Sequence, residues 1–385
     1  MKKLLTCLIL LIFIAGCKEK FIANVQSPPG GYLVVEGFIN SGQDPTEITL
    51  TRSTRLYDTA DIVYEHNAVV NIESENNELF PLYENGNGVY SSSSLTLDNN
   101  QKYRLKITTQ DNKQYVSDFT AVKRTPAIDS ISWQRENDGV RIYINTHDPQ
   151  NTTRYYQWKY EETWEIHSAY LSTLLYVRDP VSGNILGVGY RFPSGAPDTT
   201  IYKCWPTNIS TNILIGSSEK LSDDKIYLPL LFINQGSRKL SVLYSLKIKQ
   251  YALSRQAYQF YERVKKNTEQ LGSVFDPQPS ESQGNIHCVT NPAETVIGYV
   301  DISEEKEQRL FISNAEVPGW NYKTGCALLI MDNNPDSIAA YGSGLTPVAP
   351  VKIMGIGTIV TFSATTESCV NCTLIGTNSR PPFWP

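Results

Sequence analysis

The sequence predicts a mainly β protein: an N-terminal immunoglobulin-like β-sandwich, then a larger β-rich domain with one amphipathic helix. Three observations carry that expectation. Short alternating strands separated by turn clusters fill residues 32–123. Strand-forming aromatics are plentiful, with 23 Tyr, 12 Phe and 6 Trp, while only 19% of the 385 residues are charged. A single helical period of apolar residues stands out over residues 254–271.

Residues 1–16 read as a signal peptide. Lys2 and Lys3 form a positive start, and Leu4 to Ala15 an apolar run. That run is too short to cross a bilayer, which takes roughly 20 apolar residues. Ile14-Ala15-Gly16-Cys17 resembles the lipobox of bacterial lipoproteins. Small residues fit the peptidase that cuts before the cysteine, and the Cys17 thiol is the acylation site. Two or more acyl chains give stable membrane anchoring. Removing Lys2 and Lys3 with the leader takes the formal net charge from -5 to -7. Residues 17–31, with Ser27-Pro28-Pro29-Gly30-Gly31, read as a lipidated tether.

Strands are expected at Tyr32–Ile39, Thr46–Thr51, Ala68–Ile72, Leu79–Tyr83, Tyr103–Thr108 and Gln114–Phe119. Turn clusters such as Ser41-Gly42-Gln43-Asp44-Pro45 and Glu84-Asn85-Gly86-Asn87-Gly88 separate them. Leu97 followed by Tyr103 resembles the tyrosine corner of immunoglobulin-like folds; a plain buried strand tyrosine fits equally well.

The second domain, residues 124–385, opens with a hairpin turning at Asn137-Asp138-Gly139. A long strand follows from Arg154 to Ile166. Its residues Tyr156, Trp158, Tyr160 and Trp164 share one face, with Gln157, Lys159, Glu161 and Glu165 on the other. The aromatic face is a candidate stacking platform for a sugar or peptide; the competing reading is the core of a half-buried sheet. In the helix, Ser254 is the expected N-cap and Ala257, Tyr261, Val264, Thr268 and Leu271 the buried stripe. Gly272 stands where a C-terminal glycine belongs. Strands resume at Val296–Ile302 and Arg309–Ser313, and the chain reads as extended after Met354.

Catalytic spacing is missing. The four histidines, His66, His147, His167 and His287, show no helical zinc spacing. Gly342-Ser343-Gly344 is not a nucleophile elbow, and Gly187-Val188-Gly189 and Gly355-Ile356-Gly357 lack a third glycine for phosphate binding. Asp332-Asn333-Asn334-Pro335-Asp336 has calcium-type oxygens but neither the glycine nor the distal glutamate of a calcium loop. No metal, cofactor or enzymatic activity is expected. The acidic balance argues against nucleic acid as a partner.

Cys204, Cys288, Cys326, Cys369 and Cys372 remain once Cys7 and Cys17 are set aside. Five is odd, so at least one thiol stays unbridged in an exported chain. Cys369-Val370-Asn371-Cys372 lacks the strand-to-helix setting of a redox pair. It reads as structural, with one member bridged to Cys326.

Several blocks together resemble a domain-of-unknown-function family of Bacteroidota outer-membrane lipoproteins. They are Leu33-Val34-Val35-Glu36-Gly37-Phe38-Ile39-Asn40, Arg154 to Glu165, Cys204-Trp205, Lys249-Gln250-Tyr251-Ala252-Leu253-Ser254, Phe275 to Ser280, Gly284-Asn285-Ile286, Val296-Ile297-Gly298-Tyr299 and Pro382-Phe383-Trp384. The resemblance implies a lipid-anchored outer-membrane protein commonly encoded beside a TonB-dependent receptor, and it implies no catalytic residues. Lys18-Glu19-Lys20 departs from the acidic stretch that often marks surface export in such proteins, which leaves the facing leaflet open. The expected role is a non-enzymatic accessory or ligand-capture partner of a TonB-dependent transporter. The alternative is a structural or adhesive envelope protein acting without one.

Cys17→Ser is expected to abolish palmitate labelling and to move the protein from the membrane to the soluble fraction. Retention of label in the variant would refute lipidation at this position.

Overall fold

The computed structural model describes residues 31–54, 62–269, 284–342 and 344–385. The expected leader, Cys17 and most of the tether lie outside the described residues, as do Leu271 and Gly272. Among the described residues no helix is long and apolar enough to cross a membrane.

The first sandwich uses β1 (Leu33–Asn40), β2 (Pro45–Arg52), β3 (Val69–Ser74), β4 (Leu79–Glu84), β5 (Val89–Ser94), β6 (Lys102–Thr108) and β7 (Gln114–Ser117). One sheet runs β1–β2–β5 and the other β4–β3–β6–β7, with β4 also pairing β5. This is the immunoglobulin-like arrangement that the sequence predicts. Alternate residues turn inward, so Leu33, Val35, Ile48 and Leu50 meet Ile72, Leu105, Ile107 and Tyr115. The Tyr103 hydroxyl accepts the Asp98 N–H at 2.7 Å and lies 3.3 Å from the Asp98 carbonyl. That closes a tyrosine corner.

The second sandwich begins with β8 (Ile128–Glu136) and β9 (Gly139–His147), hairpinned around Asn137-Asp138. The chain continues through β10 (Tyr155–Trp164), a peripheral hairpin of β11 (Leu174–Arg178) and β12 (Ile185–Tyr190), then β13 (Leu214–Ser217), β14 (Lys225–Asn234) and β15 (Leu243–Ala252). Sheet β8–β9–β14 packs on sheet β13–β10–β15. Val140, Ile142 and Ile144 of β9 share this core with Tyr156, Trp158, Tyr244, Leu246 and Ile248.

Helix α1 (Arg255–Glu269) follows directly. The Ser254 hydroxyl accepts the Ala257 N–H at 3.1 Å, as the expected cap should. Ala257 is buried and Thr268 is exposed, so the stripe ends one turn earlier than its period suggests. Phe260, outside that stripe, is buried instead. The helix sits in a corner between two sandwiches and therefore buries more than one narrow face.

Beyond the helix the chain goes back to its beginning. β16 (Ile286–Cys288) pairs antiparallel with β7, while β17 (Ile297–Gly298) and β18 (Ile302–Ser303) pair parallel with β1. Residues 286–303 thus complete the first sandwich, and its sheets are not contained within 32–123. The added strands satisfy backbone groups that both edges would otherwise leave open. β19 (Lys306–Ser313) then crosses over and joins β15.

A third, smaller unit combines β20 (Leu329–Asp332), α2 (Pro335–Tyr341), β21 (Leu345–Met354) and β22 (Thr358–Thr366) with the β11–β12 hairpin. The stretch expected to be merely extended after Met354 is therefore a sheet strand followed by short 3-10 turns. Its core is small, centred on Leu174, Val188, Met331, Ile338 and Phe362. Two disulfides lie beside it: Cys326–Cys369, with Cα atoms 5.9 Å apart, and Cys204–Cys372, at 5.7 Å. Among the described residues Cys288 is the unbridged thiol, buried in the first sandwich.

Tyr103→Phe is expected to destabilise the first sandwich by about 1–2 kcal/mol, since Asp98 loses a buried partner. A denaturant midpoint matching the parent protein would show that the corner contributes nothing.

Candidate functional site

The aromatic platform does not face solvent. Tyr156 and Trp158 are fully buried in the second sandwich, and Tyr160 and Trp164 pack against the same core. The Trp158 indole donates to Gln250 Oε1 at 2.7 Å, and the Tyr156 hydroxyl bonds Asp224. These four residues are core, because their face of β10 is the one covered by β9 and β14. Tyr156 and Trp158 offer no stacking surface to a ligand, whereas half-buried Tyr160 also lines a cavity. Of the cysteines expected to bridge, Cys326 and Cys369 pair with each other and Cys372 pairs with Cys204.

The opposite face of β10 is where the structure leaves room. Two adjoining cavities of ≈ 380 and ≈ 390 Å³ lie between the first sandwich and the outer face of β10 and β15. One wall carries Glu36 and Phe38 of β1 with Glu47 and Thr49 of β2. The facing wall carries Lys159, Lys247, Lys249 and Tyr251, and α1 closes one end with Phe260 and Tyr261. Phe38 stacks on Tyr251 with ring centroids 4.5 Å apart, which sets the spacing between the walls.

Gly37 is required by this geometry. Its φ is +139°, and a Cβ there would meet the Glu47 carbonyl at 2.3 Å. Gly298 is the same case on the neighbouring strand, with φ +142° and a Cβ contact of 2.2 Å to the Val35 carbonyl. Glycine at both places lets β1 lie close to its neighbours beside the cleft.

The charges on the cleft face are unevenly matched. Lys247 pairs with Glu307 at 2.5 Å and Lys249 with Glu305 at 2.8 Å. Glu305 also accepts from the Tyr251 hydroxyl. Lys159 stands directly opposite Lys249 in the β10–β15 register, yet it makes no ion pair within 4 Å among the described residues. Its ammonium lies 6.0 Å from the Phe38 ring centroid, at the outer reach of a cation–π contact. Lys159 is exposed to solvent at the cleft mouth, yet desolvation by the surrounding walls lowers its pKa, and the Lys249 charge lowers it further against the opposing pull of Glu36, Glu305 and Glu47. For Lys249, burial acts the same way, but the bonded Glu305 outweighs it and the net shift is upward. Gln157, two residues before Lys159, is only 5% exposed and its Oε1 has no hydrogen-bond partner.

Other candidates are already engaged. A larger cavity of ≈ 670 Å³ in the third unit contains Arg178 and Arg191, but Arg191 is held by Ser172 and Asp198 and Arg178 by the Gly183 carbonyl. The calcium-like run caps a helix: Asn334 accepts the Ser337 N–H at 2.8 Å, and Asn333 binds the backbone of Val188 and Ile359. Among the described residues, no cluster of three or more His, Cys, Asp or Glu forms a metal site. Glu162 is tied to Lys239 and Tyr244, and His167 to Glu165.

Sequence reasoning placed Gln157, Lys159 and Glu161 on a polar face and assigned that face no role. Only the return of residues 286–303 to the first sandwich turns it into a cleft, and no local pattern signals that return.

The chain matches the domain of unknown function DUF4249 over residues 18–309. No curated protein matches it. Among solved structures, a Bacteroides uniformis protein provisionally assigned to carbohydrate binding aligns over 59% of this chain and 92% of its own, at 8% identity and a TM-score of 0.15. The BSP domain of a biofilm-associated protein aligns over 94% of this chain and 80% of its own, at 8% identity and a TM-score of 0.17. Neither alignment bears on fold or ligand.

A lowered pKa exposes neutral amine at lower pH. Lys159 is therefore expected to react with acetic anhydride at mildly alkaline pH ahead of lysines held in ion pairs, such as Lys249. Peptide mass spectrometry across a pH series checks this, and equal onset for the two lysines would refute it.

Proposed function

The chain belongs to the DUF4249 family, and from that premise we propose that it is a lipid-anchored outer-membrane protein of a Bacteroidota cell. It captures a ligand without transforming it and serves as accessory to a TonB-dependent transporter. The observation that carries the reading is the open cleft between the sandwiches, where exposed Lys159, Glu36 and Glu47 have no ion-pair partner among the described residues.

Placement supports the same reading. Glu36 and Phe38 lie on the first strand after the tether, so the cleft stands near the end of the chain that Cys17 would anchor. Every lining residue falls between 18 and 309, the span shared with the family. The cleft pairs no nucleophile with a base: its carboxylates either bond lysine and tyrosine or face water. That arrangement recognises charge and hydrogen bonding, and binding is the role it suits.

Extraction of native membranes in mild detergent is the direct test. The protein is expected to co-purify with a TonB-dependent transporter, and deletion of its gene to reduce uptake through that transporter. Isolation as a lone species with uptake unchanged would reject the accessory role and favour an envelope structural protein.

A further inference from the structure

The third unit leaves apolar side chains uncovered at the tip of its β21–β22 hairpin. Val351, Ile353, Met354 and Ile356 are all exposed there, and none belongs to the unit's small core. Ile353 and Met354 are successive strand residues and so point to opposite faces, yet they are 49% and 57% exposed. Ile356 stands alone at the apex between Gly355 and Gly357, with open space around both glycines. One exposed apolar side chain is ordinary, but four together on a hairpin tip mark a contact surface.

The charges around the tip say what can cover it. Between Asp336 and Glu367 the sequence has one charged side chain, Lys352, and no carboxylate. Lys352 is exposed and makes no ion pair among the described residues. It lies in a row with Thr361 and Asp332, where β20 ends. The rows beyond, Ile353 with Ile359 and Met354 with Thr358, belong to the hairpin alone. At about 3.3 Å per residue, those rows and the turn reach about 10 Å past Lys352. That matches the depth of an interfacial element and falls well short of a bilayer core of about 30 Å. The ribbon's open backbone edges need water or headgroups, which also holds it at the interface. A protein groove would meet one face of such a ribbon, whereas lipid surrounds both. The chain as a whole is acidic, with 39 acidic against 34 basic residues, so an anionic surface repels most of it. A carboxylate-free tip with a cation at its base can approach that surface. We infer that the β21–β22 tip dips into an anionic lipid surface, with Ile353, Met354 and Ile356 below the headgroups and Lys352 among them.

This inference rests on the membrane location in the reading above, not on ligand capture or a transporter. It adds a second contact, too weak to hold the chain by itself, that orients the protein on the bilayer. The test labels the full chain with a fluorophore at Ile356→Cys. Lys220→Cys, exposed just after β13, is the control. Each is mixed, at millimolar lipid, with phosphatidylethanolamine–phosphatidylglycerol vesicles whose acyl chains carry bromine. Quenching by bromine is expected at position 356 and not at 220. Shielding of the 356 label from aqueous iodide without bromine quenching would mean burial against protein, a second copy or a partner, and overturns the assignment. Equal iodide access at both positions does the same. In the Cys17→Ser chain, Ile353→Ser combined with Ile356→Ser should weaken vesicle binding about ten-fold or more and leave Tm unchanged. Lys352→Glu should weaken it several-fold on these vesicles and leave binding to phosphatidylcholine vesicles as it was. Parent-like binding to the anionic vesicles in both variants refutes the contact. The anchor is scored apart from the tip, by whether Cys17→Ser alone lowers flotation with vesicles at low lipid.

Discussion

The architecture depends on one buried junction, where residues 301–303 tie the first strand to the second sandwich. The Asp301 carbonyl accepts the Ile39 N–H at 3.1 Å, and its side chain accepts the Ser254 N–H at 2.6 Å. Ser303 and Thr125 bond each other at 2.7 Å, and both accept the Ala252 N–H at 3.0 Å. Asp301 is wholly buried, and burial pushes its carboxyl pKa up against the hydrogen bonds that favour its charge. A carboxyl in that position is tolerated because Ser254, at the start of α1, and Ile302 supply donors. Strand β1, helix α1 and the end of β15 therefore meet in a single polar knot.

From that knot the cleft follows as a geometric consequence. Once β1 and β15 are fixed at one end, their outward faces must look at each other along the rest of their length. Phe38 on Tyr251 fills the near end with stacked rings, and Tyr261 joins from the helix at 6.4 Å. Farther along, the facing strands carry Glu36, Lys159 and Lys249 instead. Facing lysines on adjacent strands repel; Lys249 is compensated by its ion pair with Glu305, and Lys159 by the more distant charges of Glu36, Glu305 and Glu47.

Much of the secondary structure was legible, because period-two alternation and turn residues act locally. The Tyr103 corner, the Asn137-Asp138 hairpin and the Ser254 cap all follow from contacts within a few residues. The pairing of β17 and β18 with β1 was not legible, since Val34 meets Ile297 across more than two hundred residues and each strand is two residues long. Two-residue strands carry no periodicity to read. The burial of Phe260 has no local marker for a related reason: it packs on Tyr299, from the chain that returns to the first sandwich, and not on the face its own period marks. The linking of Cys204 with Cys372 spans 168 residues and had no local marker.

The candidate site was hidden by the strand that holds it. β10 displays its aromatics so plainly that a stacking role suggests itself, yet a strand has two faces and a sandwich buries one. Burial of large side chains such as Tyr156 and Trp158 stabilises by about 1.5–3 kcal/mol or more each, which fixes that face inward. Gln157 and Lys159 must then point outward, and in an isolated sandwich they would stand in bulk water with nothing to explain. Packing the first sandwich over them removes part of that water without supplying partners. The aromatic residues thus decide the site indirectly, by committing the strand's orientation and leaving exposed Lys159 facing the cleft.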